Sequence, residues 1–167
     1  MKLTIREATA SDDAAVGELL VEAFRNQYAK KLPDVFDPPE RLADLRNQSE
    51  KRDRATVLVA EVEGAIVGTV AIYPVGAPGS EAWIAGAADL RLLAIHPALQ
   101  GQGLSKQLLD AAELRARSWG VSAICLHTRR EASGVARLYS GRGYVRDEAG
   151  DLDLRPVVYL EARVLKL

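Results

Sequence analysis

The run Ala94-Ile95-His96-Pro97-Ala98-Leu99-Gln100-Gly101-Gln102-Gly103-Leu104-Ser105-Lys106 passes from strand-like sequence through a glycine-rich turn into an amphipathic helix. Glycines let a backbone turn sharply and approach a ligand, and the free N–H groups and dipole of a helix N-terminus attract phosphate oxygens. The segment has the chemistry of an anion cradle, although a glycine turn that simply joins strand to helix reads the same way. Two nucleotide motifs fail on spacing. A Walker A loop requires Gly-Lys-Ser/Thr, which does not occur, and the dinucleotide fingerprint requires a third glycine where Lys106 stands.

Other reactive side chains are more ambiguous. Glu61 and Glu63 flank a turn and read as solvated residues. His96 precedes a proline and His127 ends a strand-like run, so structural roles are expected for both although imidazole can relay protons at neutral pH. The single cysteine, Cys125, stands in Ala-Ile-Cys-Leu and reads as a small core residue. No cluster of His, Cys and carboxylates has metal-ligand spacing, so no metal is implied.

Elements that could hold the cradle in place follow from periodicity. Leu3, Ile5 and Glu7 alternate with polar residues; Ser11, before Asp12 and Asp13, is the expected N-cap of a helix whose stripe is Val16, Leu19, Leu20, Ala23 and Phe24, ending near residue 27. Pro33, Pro38 and Pro39 break that pattern, and a second helix is expected over 39–51. Residues 57–62 and 66–73 flank Glu63-Gly64 and should form an antiparallel hairpin. Residues 75–86 read as a loop containing Trp83. Over 88–95 the apolar phase changes from Leu90 and Leu92 to Leu93 and Ile95, which fits either a strand buried on both faces or a β-bulge. Leu104, Leu108, Ala112, Ala116 and Trp119 make a helical stripe ended by Gly120. A short strand over 122–127, a helix over 132–140 with Val135, Leu138 and Tyr139 on one face, and strands at 144–145 and 157–164 complete the chain, with a polar loop over 147–155. This order predicts one α/β domain over 1–167 with a mixed sheet and helices on both faces.

Gln100-x-x-Gly103-x-Ser105 resembles the Q/R-x-x-G-x-G/A motif of the GNAT acetyltransferases. The strand-like Leu92-Leu93-Ala94-Ile95-His96-Pro97 before it, and Ala136-Arg137-Leu138-Tyr139 followed by Gly143-Tyr144, are also similar to that family's sequence. The resemblance is specific over about residues 88–146; the first half of the chain matches in pattern only.

The resemblance implies a central sheet of about seven strands, mostly antiparallel, with one parallel pair split by a bulge. Acetyl-CoA would be the cosubstrate. Backbone groups near Leu93, Ala94 and Ile95 would hydrogen-bond its pantetheine, and the amides over 101–106, behind Gln100, would hold its pyrophosphate. Ser105 replaces the usual Gly or Ala but is small enough to fit, and Ala132 stands where many members carry a cofactor-contacting asparagine. Tyr139 matches the family's general acid; its bland role is a core aromatic. Asp89 sits where many members carry a glutamate base; its bland role is a strand-end carboxylate in water, and it serves as a base only if its pKa rises.

These matches imply an N-acetyltransferase acting on a primary amine by direct attack, or else an acyl-CoA binding or sensing module without turnover. Acceptor pockets in the family would correspond to residues 24–39 and 75–87, which hold Tyr28, Asp34, Phe36, Asp37 and Trp83. With 22 Lys and Arg against 23 Asp and Glu, no net field draws the protein to nucleic acid or an anionic membrane. No apolar run is long enough to span a bilayer and no signal peptide is recognisable, so a cytoplasmic location is expected. The strand over 157–164, if it lies at an edge, can pair across a homodimer.

Overall fold

The computed structural model describes residues 2–32, 34 and 37–167; Pro33 and Phe36, named above, lie outside the described residues. Strand β1 (Leu3–Glu7) leads to a 3-10 turn and then α1 (Asp13–Lys31). The helical entry is set at Thr9 rather than Ser11. The Thr9 N–H donates to Asp12 Oδ2 at 2.8 Å, and Asp12 is itself held by Arg6 of β1 at 2.8 Å. That pairing holds the Asp12 carboxyl far below the usual carboxylate range. Helix α1 also runs one turn past residue 27, closing with the Leu32 N–H on the Tyr28 carbonyl at 2.8 Å.

The single helix expected over 39–51 is instead two, α2 (Pro39–Arg46) and α3 (Gln48–Arg54), broken at Asn47 with φ −82° and ψ 70°. The break is stabilised from inside: the buried Lys51 ammonium donates to the Asp44 and Asn47 carbonyls, and Gln48 Nε2 donates to the Leu45 carbonyl at 2.6 Å. These side chains satisfy carbonyls that a helix end leaves without partners.

Strands β2 (Thr56–Val62), β3 (Ala65–Tyr73), β4 (Ala87–Ile95), β5 (Ala123–Arg129), β6 (Val145–Arg146), β7 (Leu152–Leu154) and β8 (Val158–Lys166) complete, with β1, an eight-stranded sheet. Its order is β1-β2-β3-β4-β5-β8-β6, with β7 also paired to β8. All neighbours are antiparallel except β4 and β5. The sheet therefore has the expected mixed character, with two corrections. The stretch over 147–155, expected as a loop, contains β7 and a 3-10 turn. Strand β8 is not an edge: β5 occupies one side and β6 and β7 the other, so the backbone groups that would have paired across a homodimer are already used.

Helix α4 (Leu104–Ser118) covers one face, where Leu104, Leu108, Leu109, Ala112 and Ala116 pack with Leu58, Val70, Ile72, Ala88, Leu90, Ile124 and Leu126. Helices α1 and α2 cover the other, packing Val16, Leu20, Val21 and Leu45 against Val57, Val59, Ala71, Tyr73 and Ala94. A third cluster, Ala87, Ala123, Cys125 and Val164, lies beneath the loop residues Ala82, Trp83 and Ile84. Helix α5 (Ser133–Gly141) follows β5, and its Tyr139 joins the α4-side core.

Candidate active site

Strand β4 carries the phase change seen in the sequence, and of the two explanations the bulge is the one present. Thr69 pairs with Ala94 but Ala71 pairs with Arg91, so β4 holds an extra residue against β3. Leu92 takes φ 59°, a left-handed conformation rare for a branched side chain and costly unless its surroundings enforce it. Before the bulge Ala88 and Leu90 face α4; after it Leu93 and Ile95 do, while Leu92 and Ala94 turn toward α1.

The parallel pairing of β4 with β5 lasts only three residues: Ala87 with Ala123, Ala88 with Ile124 and Asp89 with Cys125. Beyond Asp89 the strands part, although each continues to Ile95 and Arg129. The β4 edge carrying Leu93, Ala94 and Ile95 thus has no ladder partner on its β5 side, and its backbone groups are free to meet an extended ligand there.

The turn into α4 follows directly. Gly101 and Gly103 take φ 80° and 81°, which L side chains rarely adopt, and a Cβ at either would meet nothing within 4 Å. Gly103 is the N-cap of α4 and offers no side chain, so the amides of the first helical turn, those of Leu104, Ser105 and Lys106, point outward without intrahelical partners. The first helical bond past the cap is Gln107 N–H to the Gly103 carbonyl at 3.3 Å. Lys106 Nζ turns back to Asp110 at 2.8 Å, so this residue contributes its amide to the cradle. Gln100 and Gln102 are exposed in the turn. The unpaired β4 edge, the glycine turn and the free amides of α4 follow one another along residues 93–106. Ala132, the N-cap of α5, adds no side-chain hydrogen bond.

Asp89 sits at the point where β4 and β5 separate, facing the α1 side of the sheet. It is fully buried rather than in water. Oδ2 accepts the Glu81 N–H at 2.8 Å, and Oδ1 has no hydrogen-bond partner among the described residues. Burial pushes its carboxyl up to about 6, against smaller opposing effects of the Glu81 N–H and the Arg91 charge. Cys125, its neighbour on β5, is buried and free, and burial raises its thiol above the ordinary value.

Tyr139 packs on the opposite face, in T-shaped contact with Tyr144 at 5.4 Å between centroids. Burial pushes its phenol well above the usual tyrosine range. The turn after α5 is fastened to α4 by Arg142, which donates to Glu113 at 2.6 Å and Asp110 at 2.7 Å, while the Tyr144 hydroxyl donates to Glu113 at 3.1 Å. Asp89 and Tyr139 therefore lie on opposite faces of the sheet.

Sequence reading names Trp83 and His127 but not Glu81, and it places none of the three near Asp89. Glu81 is ion-paired with Arg91 at 2.7 Å, and His127 Nε2 donates to the Gly150 carbonyl at 2.8 Å with its ring edge-to-face on Trp83. Trp83 Nε1 donates to Asp147 at 2.8 Å. No local sequence pattern brings residues 81, 83 and 147 to His127. Of the proposed acceptor residues, Tyr28 lies in α1 with Arg129 over its ring at 5.3 Å, while Asp34 and Asp37 lie between α1 and α2. Among the described residues there is no group of three His, Cys, Asp or Glu placed to hold a metal ion, and no helix long and apolar enough to cross a membrane.

The profile of the Acetyltransferase (GNAT) family matches residues 15–144. An amino-acid acetyltransferase of Pseudomonas putida is 31% identical over 151 residues, covering 83% of this chain. The chain spans only about 30% of the length of that curated relative. The PaiA N-acetyltransferase of Thermoplasma acidophilum, solved with coenzyme A, superimposes with a TM-score of 0.72 at 18% identity over 100% of both chains. A GNAT-family acetyltransferase from Brucella melitensis, solved with acetyl-CoA, gives 0.65 at 20% identity over 99% of this chain and 88% of its own. Both likenesses are of fold.

Proposed function

The chain belongs to the acetyltransferase (GNAT) family, and on that premise we propose that it is an acetyl-CoA-dependent N-acetyltransferase that acetylates a primary amine by direct attack. The observation that supports this reading is the end of the β4–β5 pairing at Asp89, which leaves the Leu93–Ile95 edge unpaired just before the open glycine turn and the N-terminus of α4.

Bound acetyl-CoA supplies an activated thioester carbonyl and a thiolate leaving group. The amides of Gly101, Gln102, Gly103, Leu104, Ser105 and Lys106, with Gln100 beside them, hold its pyrophosphate, and the backbone of Leu93, Ala94 and Ile95 holds its pantetheine. Asp89 takes a proton from the acceptor's ammonium at Oδ1, directly or through a water, and frees the neutral amine that attacks; with its pKa at about 6 it is ionised at neutral pH and still a better proton acceptor than an ordinary aspartate. Tyr139, protonated at neutral pH because burial disfavours phenolate, gives a proton to the departing sulfur. Cys125 is an unsuitable acyl carrier because its thiol is buried and its pKa raised, which supports direct transfer over a covalent enzyme intermediate.

A second reading, an acyl-CoA binding or sensing module, draws on the full burial of Asp89 under the loop. Titration calorimetry with acetyl-CoA, followed by thiol release across an amine panel, separates the two. Binding with release establishes the enzyme, binding without release favours the sensor, and no binding overturns both. The curated relatives act, by name, on amino acids, so these head the panel. A cytoplasmic location is proposed with the enzyme, since acetyl-CoA is an intracellular metabolite.

A further inference from the structure

A polar cavity of about 140 Å³ lies between the α2–α3 pair and strands β3 and β4, with Glu50, Arg54, Tyr73, Gly79, Arg91 and Leu92 in its wall. Its position ties it to the reaction. Leu92 is the bulge residue, Arg91 follows Asp89 by two positions and shares its face of the sheet, and Tyr73 is the residue paired with Asp89 across β3 and β4. The cavity therefore lies on the α1 side of the bulge, two residues along β4 from the proposed base, which is not itself in its wall.

Its wall carries three cations, Arg54, Arg91 and Lys51, and two carboxylates, Asp44 and Glu50. Arg91 enters from β4, donating from Nη1 to the Gly79 carbonyl at 2.9 Å and pairing through Nη2 with Glu81 at 2.7 Å. Arg54 enters from α3, paired through Nη1 with Glu50 at 2.6 Å, and the same nitrogen lies 3.7 Å from where a Cβ on Gly79 would stand. Two guanidinium groups from different elements thus converge on one glycine. Each has five N–H donors and can accept nothing, and these contacts leave donors on both without an acceptor among the described residues. Lys51 adds a third cation to the wall, its Nζ already occupied by backbone carbonyls and by Asp44 at 3.3 Å. A planar carboxylate within reach of Arg54 and Arg91 would use the spare donors that their pairs with Glu50 and Glu81 leave. The space holds one small polar molecule.

We propose that Arg54 and Arg91 bind the carboxylate of the acceptor, so that the acceptor is a free amino acid, held with its amino group toward the bulge and Asp89. This inference rests on the N-acetyltransferase reading and assigns that reaction its substrate class and two specificity-determining residues.

The test uses matched ligands: each common amino acid, its primary amide and its decarboxylated amine, titrated into the CoA-saturated full chain and assayed for thiol release from acetyl-CoA. At least one amino acid is expected to bind, and its kcat/KM to exceed that of its amide by about 10-fold or more. Arg54→Gln and Arg91→Gln are each expected to raise its KM by about 10- to 100-fold and to bring the acid-to-amide ratio toward one, while acetyl-CoA affinity is unchanged. Absence of binding by every amino acid overturns the proposal, as does equal use of acid and amide by the wild type or retention of the wild-type ratio by both variants. The wild-type ratio decides the matter even where the Arg91 variant fails to fold. Failure of acetyl-CoA itself to bind is a different result, and it overturns the enzyme reading.

Discussion

The Glu81 backbone N–H donates to Asp89 Oδ2 at 2.8 Å while the Glu81 carboxylate closes on Arg91 at 2.7 Å, so one residue of the 75–86 loop holds two neighbours on the same face of β4. The loop is what removes Asp89 from water. It is also what gives the carboxyl its raised pKa, since burial outweighs the opposing contribution of the Glu81 N–H.

The first prediction concerns pH. With Asp89 as base, kcat/KM is expected to fall on the acidic side with an apparent pKa of about 6. Asp89→Asn should remove that limb and lower turnover by about 10² to 10⁴ while leaving acetyl-CoA affinity intact. Stability moves the other way. The folded-state pKa lies above that of the unfolded chain, so the contribution of Asp89 to stability is fully present below about pH 4 and is lost as pH rises through about 6. Asp89→Asn should therefore gain on the wild type between pH 4 and pH 8, by about 2 kcal/mol, in chemical unfolding curves. A wild type and variant that share one pH profile of both rate and stability would remove Asp89 from this role.

A second prediction follows from the anchoring of Trp83. A Cβ on Gly150 would collide with the Trp83 ring, which also donates to Asp147 at 2.8 Å, so only glycine at 150 admits this close approach. Gly150→Ala is expected to displace the ring and destabilise the fold by about 1 to 3 kcal/mol. It should also loosen the loop, moving the acidic limb of kcat/KM toward the ordinary aspartate range as Asp89 regains water. Indole quenching by acrylamide and the pH–rate profile check the two parts separately.

Much of this arrangement was legible in the sequence because it is local. The glycine turn before α4, the Glu63-Gly64 hairpin and the apolar phase change near Leu92 all depend on residues within a few positions of one another. The misread features depend on distant partners. Thr9 replaces Ser11 as the cap because Arg6 and Glu61 organise Asp12, and the helix expected over 39–51 breaks because buried Lys51 satisfies the carbonyls at its kink. The interior place of β8 follows from pairings of β6 and β7, two strands too short to show periodicity. The Glu81, Trp83 and His127 surround of Asp89 is assembled by the course of a loop, for which no spacing rule exists.

The third prediction isolates the acid. Tyr139→Phe removes only a hydroxyl and keeps the ring that packs on Tyr144 at 5.4 Å, so the fold and acetyl-CoA affinity should persist. Turnover is expected to fall by about 10² to 10⁴. The loss should shrink with acyl donors whose thiol leaves as a stable thiolate, because such a leaving group needs no proton. An unchanged rate with acetyl-CoA would leave Tyr139 as a core aromatic.

The last prediction uses two glycines with similar backbones to separate strain from binding. Gly103 and Gly120 have φ 81° and 70°, and a Cβ at either would meet no atom within 4 Å. Alanine at either site should therefore cost about 1 kcal/mol through the left-handed backbone alone, seen as similar losses in chemical unfolding. The consequences for acetyl-CoA should differ. Gly120 follows the C-terminal end of α4, whereas Gly103 is its N-cap, where the proposed pyrophosphate site would set a methyl group between the α4 amides and the phosphates. Gly103→Ala is expected to weaken acetyl-CoA binding by about 10-fold or more, the loss of one or two charge-assisted hydrogen bonds, and Gly120→Ala to leave it unchanged. Equal affinities in calorimetry would place the phosphates elsewhere, because the two variants share everything but their position along the helix.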